Sequence, residues 1–325
     1  MGLSVIRFTR PGQEPAWGCV VQDKIYSLPW EDRQLGTVME NLADRRASAT
    51  ADARDTGLAP VDVTLLSPLT SNSALICQGL NYAQHQAEAG LSPRAHEPDD
   101  NLVFLKSSAS LCGPADDIIR PPDCQLLDYE AELGLVIGRA IEEPASVSRD
   151  ALGDYVAGFL ICNDVSSRDQ QMGAPAMQWF KGKSYRTFCP AGPVLYLLDE
   201  GEIDYVERLE ISLWVNGELR QRANTGQLIH KPHDTLTYLS QFSDVRPGDC
   251  LLTGTPGGVA FEMDLRTGLA IVLNMRHDKR RRDKLREAQL KRTGYLEPGD
   301  IVEIEISSED GQVNLGRQRN TVAAH

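Results

Sequence analysis

Apolar and polar positions alternate along most of this chain, which predicts many short strands and few helices. Ser4–Phe8 and Ala16–Val21 read as strands on either side of the Pro11-Gly12 turn, and Gln22-Asp23-Lys24 turns the chain into Ile25–Leu28. Helical spacing covers Leu35 to Ala47 and a polar stretch follows, so that residues 1–70 form a small first unit without catalytic spacing. Ser73–Cys77 opens the remainder, residues 71–325, as a strand. From Ala83 the pattern turns helical until Gly90. Ser92 to Asp100, rich in Pro and acidic residues, has the composition of a mobile lid. Leu102–Lys106, Leu209–Val215 and Ile301–Ile306 are further strands, Asn216-Gly217 is a hairpin turn, and Thr235–Phe242 is a helix burying Leu236 and Leu239. The sequence shows no internal repeat and no low-complexity tract.

One stretch places charge inside such an alternation. Asp128-Tyr129-Glu130-Ala131-Glu132-Leu133-Gly134-Leu135-Val136-Ile137-Gly138, read as a strand, sets Ala131, Leu133, Leu135 and Ile137 on one face and Glu130 with Glu132 on the other. Two carboxylates so close stay ionised in a buried setting only beside a compensating cation; a solvated strand edge is the competing reading. A second apolar run, Gly158–Cys162, ends in Asn163-Asp164 and delivers another carboxylate at a strand end. Glu130, Glu132 and Asp164 together make an all-oxygen set with open positions, suited to Mg2+, Mn2+ or Ca2+ rather than zinc. His85 and Glu88, at i and i+3 of the helix after Ala83, have the spacing of an imidazole oriented by a carboxylate. That pair suits a general base, although an incidental pair on a solvent-facing helix has the same spacing. Arg168 and Lys183 are cations near Asp164 in sequence and would balance charge there.

These residues fall within a series of motifs: Gly79-Leu80-Asn81-Tyr82-Ala83-Gln84-His85, Asp128–Glu132, Asn163–Asp169, Gly182-Lys183-Ser184, Thr253-Gly254-Thr255-Pro256 and the final Gly316…Asn320-Thr321-Val322. In that order, over roughly residues 75–322, they resemble the fumarylacetoacetate hydrolase family. The resemblance implies an α+β, mostly β fold: a mixed β-sandwich roll as catalytic domain (71–325), preceded by a small N-terminal domain (1–70). It implies Mg2+ or Mn2+ at Glu130, Glu132 and Asp164, and commonly a homodimer. It places Arg168, Gln171 and Lys183 in the active site, Tyr82 among the substrate-binding residues and Thr255 against the substrate carboxylate, while Lys181 is expected to be solvated or in a loop. His85 and Glu88 match a pair on a segment that closes over substrate and activates water. The implied activity is hydrolysis of a C–C bond in an acylpyruvate or 1,3-diketo acid through a metal-stabilised enolate. The same enolate chemistry serves a 2-oxo acid (oxaloacetate-type) decarboxylase or a hydroxymuconate-type isomerase. Outside enzymes, a catalytically silent metal- or ligand-binding protein is the alternative; against it, every ligand carboxylate and Lys183 are present.

Charge narrows the partners. Lys plus Arg number 33 and Asp plus Glu 46, a balance of −13, which argues against nucleic acid and means that an anionic keto acid must be drawn in by local cations. The longest apolar runs fall short of the roughly 18 residues of a membrane span, and Met1–Phe8 reads as a strand rather than a signal peptide, so the cytoplasm is expected. Seven cysteines, with no C-x-x-C pair, read as reduced and mostly buried. Between Gly258 and Leu296 the chain departs from shorter family members with an extended segment. Its strongly basic middle, Arg276–Glu287, is expected to be a solvated helical face dispensable for chemistry, with attraction of substrate or a second subunit as alternatives.

Overall fold

The computed structural model describes residues 2–22, 24–51, 57–91, 101–173 and 177–325. In chain order its strands are β1 (Leu3–Thr9), β2 (Ala16–Val21), β3 (Lys24–Ser27), β4 (Thr64–Leu66), β5 (Leu75–Gly79), β6 (Leu102–Lys106) and β7 (Leu111–Cys112). Then come β8 (Ile118–Arg120), β9 (Leu127–Asp128), β10 (Ala131–Ile137), β11 (Val156–Asn163), β12 (Ser166–Ser167), β13 (Cys189–Pro190) and β14 (Leu195–Leu197). The last are β15 (Leu209–Val215), β16 (Glu218–Asn224), β17 (Cys250–Leu252), β18 (Ile301–Ser308) and β19 (Asn314–Ala324). The helices are α1 (Leu35–Glu40), α2 (Leu42–Ala51), α3 (Ala83–Glu88), α4 (Arg168–Gln171), α5 (Trp179–Lys183), α6 (Pro232–Leu239), α7 (Leu265–Leu273) and α8 (Asp278–Gln289). Strand outweighs helix, and the fold is mixed α and β with several sheets, as the alternation predicts.

Ten strands form one sheet in the order β3-β2-β1-β14-β11-β10-β17-β5-β6, with β4 also on β1. A five-stranded sheet, β16-β15-β18-β19-β8, packs on it. Between them lies the larger core: Ala131, Leu133, Leu135 and Ile137 of β10 and Phe159 and Ile161 of β11 meet Ile211 and Leu213 of β15 and Ile304 and Ile306 of β18. Each fully buried Leu, Ile or Phe side chain here contributes about 1.5–3 kcal/mol. The opposite face of the large sheet buries Val136, Leu160 and Cys162 with Trp17, Leu35, Val38 and Met39. Residues before position 70 therefore supply both strands to the large sheet and a cover for one face of it: β1 pairs with β14 through Leu3↔Leu197, Ser4↔Tyr196 and Val5↔Leu195.

Candidate active site

The site begins with a register. β10 and β11 are antiparallel with Ala131 opposite Asn163 and Glu132 opposite Cys162. One step further, Glu130 lies opposite Asp164, and the Asp164 N–H donates to the Glu130 carbonyl at 2.8 Å. Period-2 geometry then turns Glu130, Glu132 and Asp164 to one face, and their ligand oxygens lie within 4.8 Å of one another. Glu130 itself precedes the strand: Leu127–Asp128 pairs separately with Ser166–Ser167, so the stretch read as one strand is two. All three carboxylates are buried, which rules out the solvated strand edge.

Three cations hold this cluster. Lys183 Nζ donates to Glu130 Oε2 at 2.6 Å and to Asp164 Oδ2 at 2.7 Å. Arg168 donates from Nη2 to Glu130 Oε1 at 2.6 Å, from Nε to Asp128 Oδ2 at 2.8 Å and from Nη1 to Gln171 Oε1 at 3.1 Å. Lys106, which the sequence offered only as the end of a strand, donates to Asp164 Oδ1 at 2.5 Å, with both side chains fully buried. Asp128, Glu130, Glu132 and Asp164 against Lys106, Arg168 and Lys183 leave 3 − 4 = −1. Burial pushes the Glu132 carboxyl well above the usual carboxylate range, and the charges of Asp164 and Glu130 add to this, so a proton on Glu132 brings the cluster to neutrality. Burial works in the same direction on Glu130, but the charges of Lys183 and Arg168 outweigh it and hold that carboxyl below its ordinary value. Lys183 and Arg168 are disfavoured as cations by burial, yet Asp164 and Glu130 keep the lysine, and Glu130 and Asp128 the arginine, above their ordinary values.

A cavity of about 250 Å³ opens on these groups, lined by Glu130, Arg168, Gln171, Lys183, Thr255 and His85 together with apolar side chains. His85 Nδ1 lies 3.4 Å from Glu88 Oε2 on α3, and Glu88 Oε1 accepts from the Gly258 N–H at 2.8 Å. The imidazole is thus tied through its carboxylate to the loop after β17. Thr255 is at the wall, its hydroxyl donating to the Ala131 carbonyl at 3.0 Å and accepting from Gln221 at 2.8 Å. The Tyr82 hydroxyl is buried without a hydrogen-bond partner among the described residues, and burial with the charge of Glu132 raises its pKa. Lys181 is half-exposed on α5 and donates to Gln170 at 3.1 Å. The proposed lid, 92–100, lies outside the described residues.

Residues 74–323, about three quarters of the chain, match the fumarylacetoacetate (FAA) hydrolase C-terminal family. The chain belongs to the fumarylacetoacetate hydrolase family. Among its relatives is the oxaloacetate tautomerase FAHD2B, mitochondrial, of Bos taurus, 42% identical over 198 residues that cover 61% of this chain and 60% of that protein. The chain therefore spans under two thirds of that relative's length. The oxaloacetate tautomerase Fahd2a, mitochondrial, of Rattus norvegicus is 39% identical over 266 residues, 79% of this chain and 82% of that one. Among solved structures, a 5-carboxymethyl-2-hydroxymuconate delta-isomerase from Mycobacterium smegmatis covers 100% of both chains at 27% identity with a TM-score of 0.68.

The donor set of this family member fits a hard divalent cation. It is all oxygen, and each carboxylate oxygen that already accepts from lysine or arginine keeps a second lone pair. Two further parts of the site escaped the sequence reading. Asp128, besides Arg168, accepts from the Ala260 N–H at 2.9 Å and the Phe261 N–H at 3.0 Å, so one carboxylate fixes both the arginine and the loop beside it. The basic segment is not only a solvated face: α8 buries Arg281, Leu285 and Gln289, and Arg281 donates to the Gly173 carbonyl at 3.1 Å just beyond α4. Gln289 in turn donates to the Glu262 carbonyl at 2.8 Å, bracing the same loop from outside.

Proposed function

We propose that the chain is a divalent-metal-dependent enzyme that interconverts the keto and enol forms of a small 2-oxo acid. One observation carries this reading: His85, held against Glu88, lines the same cavity as Glu130, Arg168 and Lys183. Bound at Glu130, Glu132 and Asp164, a divalent ion would supply a Lewis acid to polarise the 2-oxo group. Arg168 and Lys183, both paired with Glu130 at the base of the cavity, would supply positive charge to the substrate carboxylate and the developing enolate oxygen. His85 takes the proton from C3, and a proton reaches the carbonyl oxygen, so the bond change is a 1,3 proton shift with nothing gained or lost. Glu88 steadies the imidazolium formed on the way.

The names of the relatives support the tautomerase side of the enolate chemistry over the hydrolase that the sequence first suggested. They also call those relatives mitochondrial, so the cytoplasmic expectation draws no support from them; among the described residues no helix is long and apolar enough to cross a membrane. Hydrolysis of an acylpyruvate is the second reading, because a base beside the acidic triad would activate water equally well. Deuterium exchange at C3 of oxaloacetate, followed by NMR alongside pyruvate and CO2 formation, separates the outcomes. Exchange faster than any C–C cleavage is expected, with His85→Ala slowing it by about 10²–10⁴-fold. CO2 release, or cleavage of an acylpyruvate, that outpaces exchange sinks the proposal.

A further inference from the structure

The cavity has two unlike ends. Its base carries Glu130, Arg168 and Lys183 with Gln78, Gln171, His85 and Thr255, and one wall is apolar: Leu80, Met172, Trp179, Phe261 and Met263. The apolar wall starts beside the charged base, with the Phe261 ring centred 5.8 Å from Arg168 Cζ and the Trp179 ring 5.9 Å from Lys183 Nζ. Both cations of the lining are already engaged, Arg168 by Asp128 and Glu130, Lys183 by Glu130 and Asp164. A second carboxylate at the far end of a substrate would meet no further lysine or arginine among the described lining residues. Along the wall of Leu80, Met172, Trp179, Phe261 and Met263 it would lose its water against hydrocarbon and thioether, which disfavours an ion strongly. Leu80 is also held at φ 57°, a left-handed backbone state that a bulky non-glycine residue rarely adopts, and such outliers persist where surroundings enforce them. Met172 and Met263 are unbranched and adaptable, as a wall that receives variable apolar groups requires.

We propose that the preferred substrate is a 2-oxo acid with an apolar far end, an aryl- or alkyl-substituted pyruvate, and that Met172, Trp179, Phe261 and Met263 select it over 2-oxo dicarboxylates. This rests on the reading of the site as a 2-oxo acid tautomerase. Loss of a C3 proton and gain of one at oxygen are the same for either tail, so the preference appears in kcat/KM and in binding.

The test compares phenylpyruvate with oxaloacetate on the full chain with Mg2+ or Mn2+, following enol absorbance for turnover and tryptophan fluorescence for binding. Phenylpyruvate is expected to be favoured by roughly ten- to hundredfold in kcat/KM. Met263→Lys, which adds a cation to the half-buried wall, should move the ratio toward oxaloacetate by about tenfold or more, while Met263→Leu should keep it. Turnover of both with oxaloacetate equal or preferred overturns the apolar-tail proposal and leaves the tautomerase reading standing. Tighter binding of phenylpyruvate with turnover of neither supports the apolar wall and sinks the tautomerase reading. Should Met263→Lys fail to fold, the wild-type ratio alone decides.

Discussion

Arg286 on α8 grips Asp169 on α4, donating from Nε to Oδ2 at 2.8 Å with Nη2 2.7 Å from the same oxygen, while Nη2 donates to the Asp123 carbonyl at 2.6 Å. Asp169 is fully buried, also accepts from Ser167 Oγ and the Gln125 N–H, and directly follows Arg168. Arg286→Ala leaves that carboxylate short of its cation, a loss of about 1–3 kcal/mol in stability. It should also lower kcat/KM, because α4 positions Arg168 and Gln171. Lys284→Ala, on the exposed side of the same helix, should stay within about 0.5 kcal/mol. Chemical melts and kinetics on the two variants check this; equal effects would return the whole segment to a solvated face.

Lys106 and Asp164 form an ion pair with no exposure on either side chain. Lys106→Met leaves Asp164 Oδ1 without its lysine while Lys183 stays on Oδ2, and should destabilise the metal-free protein by about 1–3 kcal/mol. The same change makes the cluster more negative, so Mg2+ or Mn2+ should bind at least as tightly and recover part of the lost melting temperature. Calorimetric titration with thermal melts tests it, and weaker metal binding with unchanged stability is the contrary result.

Glu132 gives a pH signature. Its folded-state pKa is raised, so above the unfolded value of about 4.3 the native chain keeps a proton that the unfolded chain has lost. Stability from this group is complete below that pH and declines as pH rises toward the folded value. Glu132→Gln copies the neutral carboxyl and should abolish the decline in metal-free protein, while removing the thermal shift that Mg2+ or Mn2+ gives the wild type. A variant that still shows a full metal shift would remove Glu132 from the ligand set.

The thiols should be inert in the native state. Burial holds Cys19, Cys77, Cys112 and Cys250 above the ordinary thiol value and pushes Cys124 up to about 12. At pH 8 the thiolate fraction of Cys124 is then on the order of 10⁻⁴. A disulfide reagent should label less than about one thiol per folded chain, and all seven after unfolding in guanidinium. Rapid native labelling would show that the core opens.

The carboxylates were legible because a strand has period 2: Ala131, Leu133, Leu135 and Ile137 enter one core, so Glu130 and Glu132 face away from it. Asp164 could be found because its apolar run ends at it. Lys106 left no such signal, since a lysine closing an alternating strand looks the same whether it meets water or a carboxylate 58 residues away. Three partners of Asp128 lie far along the chain, at positions 168, 260 and 261, a closeness that only the folded chain creates. In α8 the buried stripe Arg281, Leu285, Gln289 keeps helical spacing, but two of its three members are polar and hid among the charges.

The seam between β1 and β14 has a consequence in time. Leu3 pairs with Leu197, a partner made 194 residues later. At roughly 5–20 residues per second, the ribosome takes about 10–40 s to supply it. During that interval β2 and β4 can dock on β1, but the Leu3–Val5 edge waits open. A nascent chain paused before residue 195 is therefore the form most exposed to strand-edge aggregation and most in need of a chaperone.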